Sequence, residues 1–91
     1  MRDTIVVFPD NQFMQNYHYL RKKNHLSHVS LACLLGVSCR RLRKVEEQLV
    51  RNEMELTLLR RLSQIYDLDV DKMAREDLSG PQSLQKMPPL V

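Results

Sequence analysis

Four cations, Arg40, Arg41, Arg43 and Lys44, crowd one short stretch of the 91-residue chain. No acidic residue occurs between Asp10 and Glu46, while Arg21, Lys22 and Lys23 raise the positive count of that interval to seven. Guanidinium and ammonium groups are donors without acceptors, so such a cluster suits a polyanion, whether phosphate oxygens or the O6 and N7 of guanine. Residues 46–78 reverse the balance, with nine acids against five bases. This asymmetry fits a polyanion-binding half joined to a solubilising or dimerising half. On charge alone a merely solvated basic face fits equally well.

The other reactive side chains form no constellation. No serine, cysteine or lysine stands beside a base in a recognisable arrangement, and no glycine-rich phosphate loop exists, so an enzyme is not expected. His18, His25 and His28 lack carboxylate or thiol partners at ligand spacing, so neither a metal nor any cofactor is expected, and the histidines read as surface or phosphate-facing. Cys33 lies among apolar residues and reads as core. Cys39 reads as exposed beside arginines, the kind of electropositive surroundings in which oxidisable thiols occur. Two cysteines are too few for a disulfide framework, and the only apolar run near the N-terminus is four residues long, Ile5 to Phe8. Neither a signal peptide nor a membrane span is expected, and a cytoplasmic location fits best.

The basic cluster must be carried on something. Placing Ser38 at zero and advancing about 100° per residue puts Leu42, Val45 and Leu49 on one stripe and Arg40 opposite, flanked by Arg43 and Lys44. A helix over 38–48, capped by Ser38, would therefore bury one side and show a basic surface on the other. Before it, Ser27 caps a short helix to Leu35 so rich in apolar residues (Val29, Leu31, Ala32, Leu34, Leu35) that it should be largely buried. Gly36-Val37-Ser38 then forms a three-residue turn. Two helices joined in this way, the second basic on its outer side, have the form of a helix-turn-helix that lays its second helix in the DNA major groove.

The remainder supports this pair. Thr4 to Phe8 reads as a strand or extended arm ended by Pro9, with Asp10 as a helix cap. Phe13, Met14, Tyr17 and Leu20 predict a first helix over 11–23. Asn52 and Glu55 have the spacing of a capping box, opening a helix that buries Leu56, Leu59, Leu62, Ile65 and Tyr66. Asp69 caps a last helix carrying Val70, Met73 and Leu78. Three of the four prolines fall in SGPQSLQKMPPLV, which predicts a flexible tail. The divisions are thus an arm at 1–10, a domain at 11–78 and a tail at 79–91. A chain this small buries a modest share of its surface and has fifteen leucines, so Met54, Met73 and the late leucines are expected to serve the core and a homodimer surface.

LSHVSLACLLGVSCRRLRKVE resembles the XRE family, the Cro and phage-repressor type of helix-turn-helix domain. NYHYLRKKNHLS is similar to that family's first helix and its lead-in, and LLRRLSQIYDLDVDKM to its fourth and fifth helices, so the resemblance covers residues 16–78. It implies an all-α, five-helix repressor-like domain, with the β or extended arm and the tail added to it. It further implies that Ser38, Cys39, Arg40 and Lys44 face base edges, that His28 and Arg41 lie near phosphates, and that Arg21 pairs with Glu46 to orient two helices. Arg43 joins the set from the helical wheel alone. The family usually has glutamine at the place of His28, which keeps a donor and adds a titratable group. Its loop after the third helix usually has an asparagine-glycine pair, where this chain has EQLVRNEME with two acids, Glu46 and Glu47. The arm is not a family feature, and it could pair between subunits or reach into DNA.

Three functions follow as expectations. The first is a regulator, a repressor in its simplest form, binding double-stranded DNA at an inverted repeat as a homodimer. The second is an antitoxin-like autoregulator that also binds a protein partner through the arm or tail. The third is a protein-binding anti-repressor of the same fold, against which the four cations argue.

Overall fold

The computed structural model describes residues 4–79. The expected tail, apart from Ser79, and the first three residues of the arm lie outside the described residues. Two short strands and five helices follow in the order β1 (Ile5–Val7), α1 (Gln12–Lys23), α2 (His28–Leu35), α3 (Cys39–Val50), β2 (Glu53–Glu55), α4 (Leu56–Tyr66) and α5 (Val70–Arg75). The domain is therefore mostly helical with one small antiparallel sheet. Among the described residues no helix is long and apolar enough to cross a membrane.

The arm is a strand, and it pairs within its own chain. Ile5, Val6 and Val7 stand opposite Glu55, Met54 and Glu53, so residues expected to open a helix form β2 instead. The expected capping box is not formed. Asn52 adopts a left-handed conformation, φ 60°, which asparagine tolerates better than most residues, and the break after α3 comes from that turn. Glu53-Met54-Glu55 then alternates polar and apolar with a period of two, which sends Met54 into the core and both glutamates outward. Three residues are too few to announce a strand without the partner that pairs with them.

Helix ends explain most of the remaining layout. Asp10 accepts a hydrogen bond from the Gln12 backbone N–H (3.0 Å), so it serves the start of α1 from one residue outside the cap position, Asn11. Asp69 occupies the cap position of α5, but its side chain makes no capping bond. His25 and Asp67 are left-handed at the ends of α1 and α4, which lets Leu26 and Leu68 donate to the carbonyls of Arg21 (2.9 Å) and Ser63 (3.1 Å).

The core runs through all the helices and under the sheet. Phe8 from the arm stacks on Phe13 of α1, ring centroids 4.4 Å apart, and Tyr17, Leu20, Leu31, Leu35, Leu42, Val45, Leu49, Met54, Leu58, Leu59, Leu62 and Met73 are buried with them. Leu56, Ile65 and Tyr66 are only partly buried, because α4 starts later than expected and Leu58 takes an inner place. Asn16 is fully buried and fully satisfied. Its amide nitrogen donates to the carbonyls of Met73 and Glu76, both at 2.6 Å, and its oxygen accepts from Gln12 Nε2 and the Leu78 N–H, both at 3.2 Å. That one side chain satisfies carbonyls at the end of α5 and fixes it to α1, which is why a six-residue helix holds its place.

Candidate nucleic-acid interface

The candidate interface is built on α2, its turn and α3. Ser27 and Ser38 are the N-caps, accepting hydrogen bonds from the backbone N–H groups of Ser30 and Arg41, each at 3.1 Å. Between the two helices Gly36 is left-handed, φ 75°, and the N–H groups of Gly36 and Val37 return to the carbonyls of Cys33 and Ala32. A third brace comes from α4, where Arg61 Nη1 donates to the Leu35 carbonyl at 2.7 Å. The end of α2 and the start of α3 are thus fixed by bonds from the turn and from a neighbouring helix.

Ser38, Cys39, Arg40, Arg41, Arg43 and Lys44 are all exposed, as is His28 at the first turn of α2. Leu42, Val45 and Leu49 anchor the opposite side of α3. Within this set the side chains divide. Arg40, Arg43 and Lys44 stand clear of any ion pair among the described residues. Arg41 turns sideways to form an ion pair with Glu55 at the end of β2. His28 Nε2 lies 3.1 Å from Glu46 Oε2 across the helix pair. His28, Cys39, Leu42, Arg43 and Glu46 line a small open cleft of about 170 Å³ between the starts of α2 and α3.

Glu46 does not meet Arg21. Its Oε2 accepts from the Tyr17 hydroxyl at 2.7 Å and faces His28, so α3 is tied to α1 and α2 through a tyrosine and a histidine. Arg21 donates instead to the Leu26 carbonyl at 2.8 Å, bracing the loop before α2. Burial first, and the Glu46 carboxylate second, push the Tyr17 hydroxyl far above the usual tyrosine range, so it remains a donor. Of the two acids that fell at the end of the predicted helix, Glu46 is therefore drawn inward and only Glu47 remains on the exposed side.

Two expectations for α2 are corrected. Only Leu31, Ala32 and Leu35 are buried, while Val29 and Leu34 are 61% and 53% exposed. Cys33 is exposed rather than core, because it stands about 100° around the helix from Ala32 and about 200° from Leu31 and Leu35. His18 is half-buried, its ring edge-on to Tyr17 with centroids 5.1 Å apart. That burial holds its pKa below the usual histidine value.

The wheel also overlooked a residue. With α3 running to Val50 and Arg51 as its C-cap, Arg51 falls near the angle of Arg40, three turns further on, and its side chain is 65% exposed. Its nearest acid is Glu53, at 3.9 Å. Continuing the same 100° steps past residue 48 would have found it. The outer side of α3 therefore carries Arg40, Arg43, Lys44 and Arg51 against Glu47 alone.

Compared with known proteins, the chain matches no family model, no curated protein and no solved structure.

Proposed function

We propose that this protein is a sequence-specific DNA-binding regulator of the cytoplasm that inserts α3 into the major groove and binds an inverted repeat as a homodimer. The observation that carries the reading is the free basic face of α3, with Arg40, Arg43 and Lys44 exposed on a helix whose other side is fixed by Leu42, Val45 and Leu49. A helix with side chains is about 10 to 12 Å across and the major groove about 12 Å wide, so one such helix fills it. The XRE resemblance of residues 16–78 supports the same reading, with Ser38, Cys39, Arg40 and Lys44 toward bases and His28 toward phosphate. Arg41, bound to Glu55, is assigned to setting the angle of α3 as well as to phosphate. Repression by occluding a promoter is the simplest outcome for a chain with no ligand domain in the described residues.

The test is selection of bound sequences from a random duplex pool at two salt concentrations, with the wild type and the Arg40→Ala, Lys44→Ala double variant. An enriched inverted repeat that the double variant fails to select is expected, with Arg40→Ala alone costing ~1 to 3 kcal/mol of discrimination. Arg51→Ala should instead weaken all sequences alike and lower the salt slope by about one for each phosphate left without its cation. Weak binding without enrichment, vanishing at moderate salt, would overturn the proposal. The exposed Val29 and Leu34 of α2 favour a protein partner as the second reading, and that result would transfer the assignment to it.

A further inference from the structure

Among the described residues nothing pairs with the outer edge of β1. The N–H of Leu56 donates to the Thr4 carbonyl (2.7 Å) and the N–H of Phe8 to the Asn52 carbonyl (2.8 Å), while Val6 stands opposite Met54. Hydrogen-bonded and non-hydrogen-bonded pairs alternate along an antiparallel ladder. Thr4, Val6 and Phe8 therefore direct their backbone groups toward β2, and Ile5 and Val7 direct theirs to the opposite edge. Along β1 and α5 runs a groove of about 630 Å³ with Val6, Phe8, Val70 and Ala74 among its walls. Its walls come from β1, the residues that follow it and α5, with none from β2. On the outer face of the same strand, Ile5 is 43% and Val7 68% exposed.

Natural edge strands are commonly blunted by being very short, by charge, by lysine or by proline within the strand. This one is short, three residues, but from Thr4 to Phe8 it has neither charge nor proline. Of the groove's charged walls, Asp71 and Arg75 pair with each other at 3.0 Å and Asp10 accepts from the Gln12 N–H. What it leaves for an incoming extended segment is the apolar lining of Val6, Phe8, Pro9, Val70 and Ala74, and among the described residues β1 is an uncharged, apolar segment of that form. We infer that the occupant is the β1 strand of a second copy, so that two chains join edge to edge into one four-stranded sheet in the order β2, β1, β1, β2 about a two-fold axis.

The register follows from the same backbone. With Val6 opposite Val6 of the partner subunit, Ile5 and Val7 of the partner subunit form a hydrogen-bonded pair, and the axis repeats it. This register satisfies every outward group of the two strands. A register centred on Val7 would require Pro9 to donate opposite Ile5, and proline has no N–H. Charge permits the approach, since the outward acids of β2 are already met, Glu55 by Arg41 and Glu53 by Arg51 at 3.9 Å. Inner side chains of the partner strand would enter the groove beside Val70 and Ala74. Because Arg41 of α3 holds Glu55, the joined sheet would also fix the two α3 helices relative to one another.

This inference names the surface of the dimer in the proposed function, yet its test needs no DNA, so its failure and the failure of the DNA reading are separable. Sedimentation of the full chain over a wide concentration range should give a dimer. Val7→Pro should dissociate it while circular dichroism keeps its helical signal, since proline is tolerated where the N–H points away from the ladder. Val50→Lys, at an exposed apolar residue elsewhere, should leave the dimer intact. In a Cys33→Ser, Cys39→Ser chain, mild oxidation should cross-link Val6→Cys. Facing Cα atoms of a non-hydrogen-bonded pair stand about 4.5 Å apart, inside disulfide range. Ile5→Cys and Val7→Cys should not self-link. If Val7→Pro unfolds, the three cysteine chains decide. A monomer at every concentration, a dimer that Val7→Pro leaves unchanged, or cross-linking indifferent to position would overturn the proposal.

Discussion

Glu46 concentrates more of the structure than any other acid on α3. Its Oε2 meets both the Tyr17 hydroxyl and His28 Nε2, so a single carboxylate relates three helices. Hydrogen bonds to charged groups contribute about 1.5 to 3 kcal/mol, and Tyr17 is almost wholly buried. Tyr17→Phe should therefore lower the unfolding free energy by ~1 to 2 kcal/mol, read as a lower urea midpoint at unchanged slope. An unchanged midpoint would mean that Glu46 finds equal partners without the hydroxyl. Beside it, His18 has its pKa lowered by burial foremost. The unfolded chain then takes up the proton more readily than the folded one, so stability is full above the ordinary histidine pKa near 6.5. It falls as pH drops below that value, until the folded imidazole is protonated too. His18→Gln should flatten this part of the pH profile, while a profile unaltered by the change would place the titration at another group.

At the scale of elements, the α2 to α3 corner depends on one backbone conformation. Gly36 is left-handed, and a Cβ added there would stand 3.5 Å from Arg61 Nη1, ordinary contact rather than a clash. The cost of Gly36→Ala is therefore conformational, about 1 to 2 kcal/mol, and thermal unfolding should show it as a lower midpoint with the native fold retained. A larger loss would implicate the Arg61 bond to Leu35. The other corners use His25, Asn52 and Asp67 in the same conformation. Only the glycine was legible as a left-handed turn, since non-glycine residues adopt it only when neighbours supply compensation. For the same reason the break near Asn52 was legible but not its device, and α3 runs on to Val50, past the expected end at residue 48.

Across the whole molecule the sheet is the joint between arm and helices. Met54 is fully buried beneath it, opposite Val6, so Met54→Ala opens a cavity where β2 meets the core. The expected cost is ~2 to 5 kcal/mol, a large part of the ~5 to 15 kcal/mol available to a domain. Chemical denaturation should show a sharply lower midpoint. A cost below about 1 kcal/mol would mean that the sheet packs independently of the core.

The sequence by itself determined the helices with a strong period and a capping residue, and with them the basic outer side of α3. Ser27, Ser38 and the stripe of Leu42, Val45 and Leu49 act through neighbours three and four residues away, and such local relations are written in order along the chain. Tertiary structure alone decided what depends on distant partners. It made Glu53–Glu55 a strand because residues 5–7 lie beside it, and it left Cys33, Val29 and Leu34 outside because the core meets only one side of α2. It also gave Glu46 to Tyr17 and His28, and it turned the buried Asn16 into the anchor of α5. In each case the deciding atom lies many residues away, where neither spacing nor periodicity reaches.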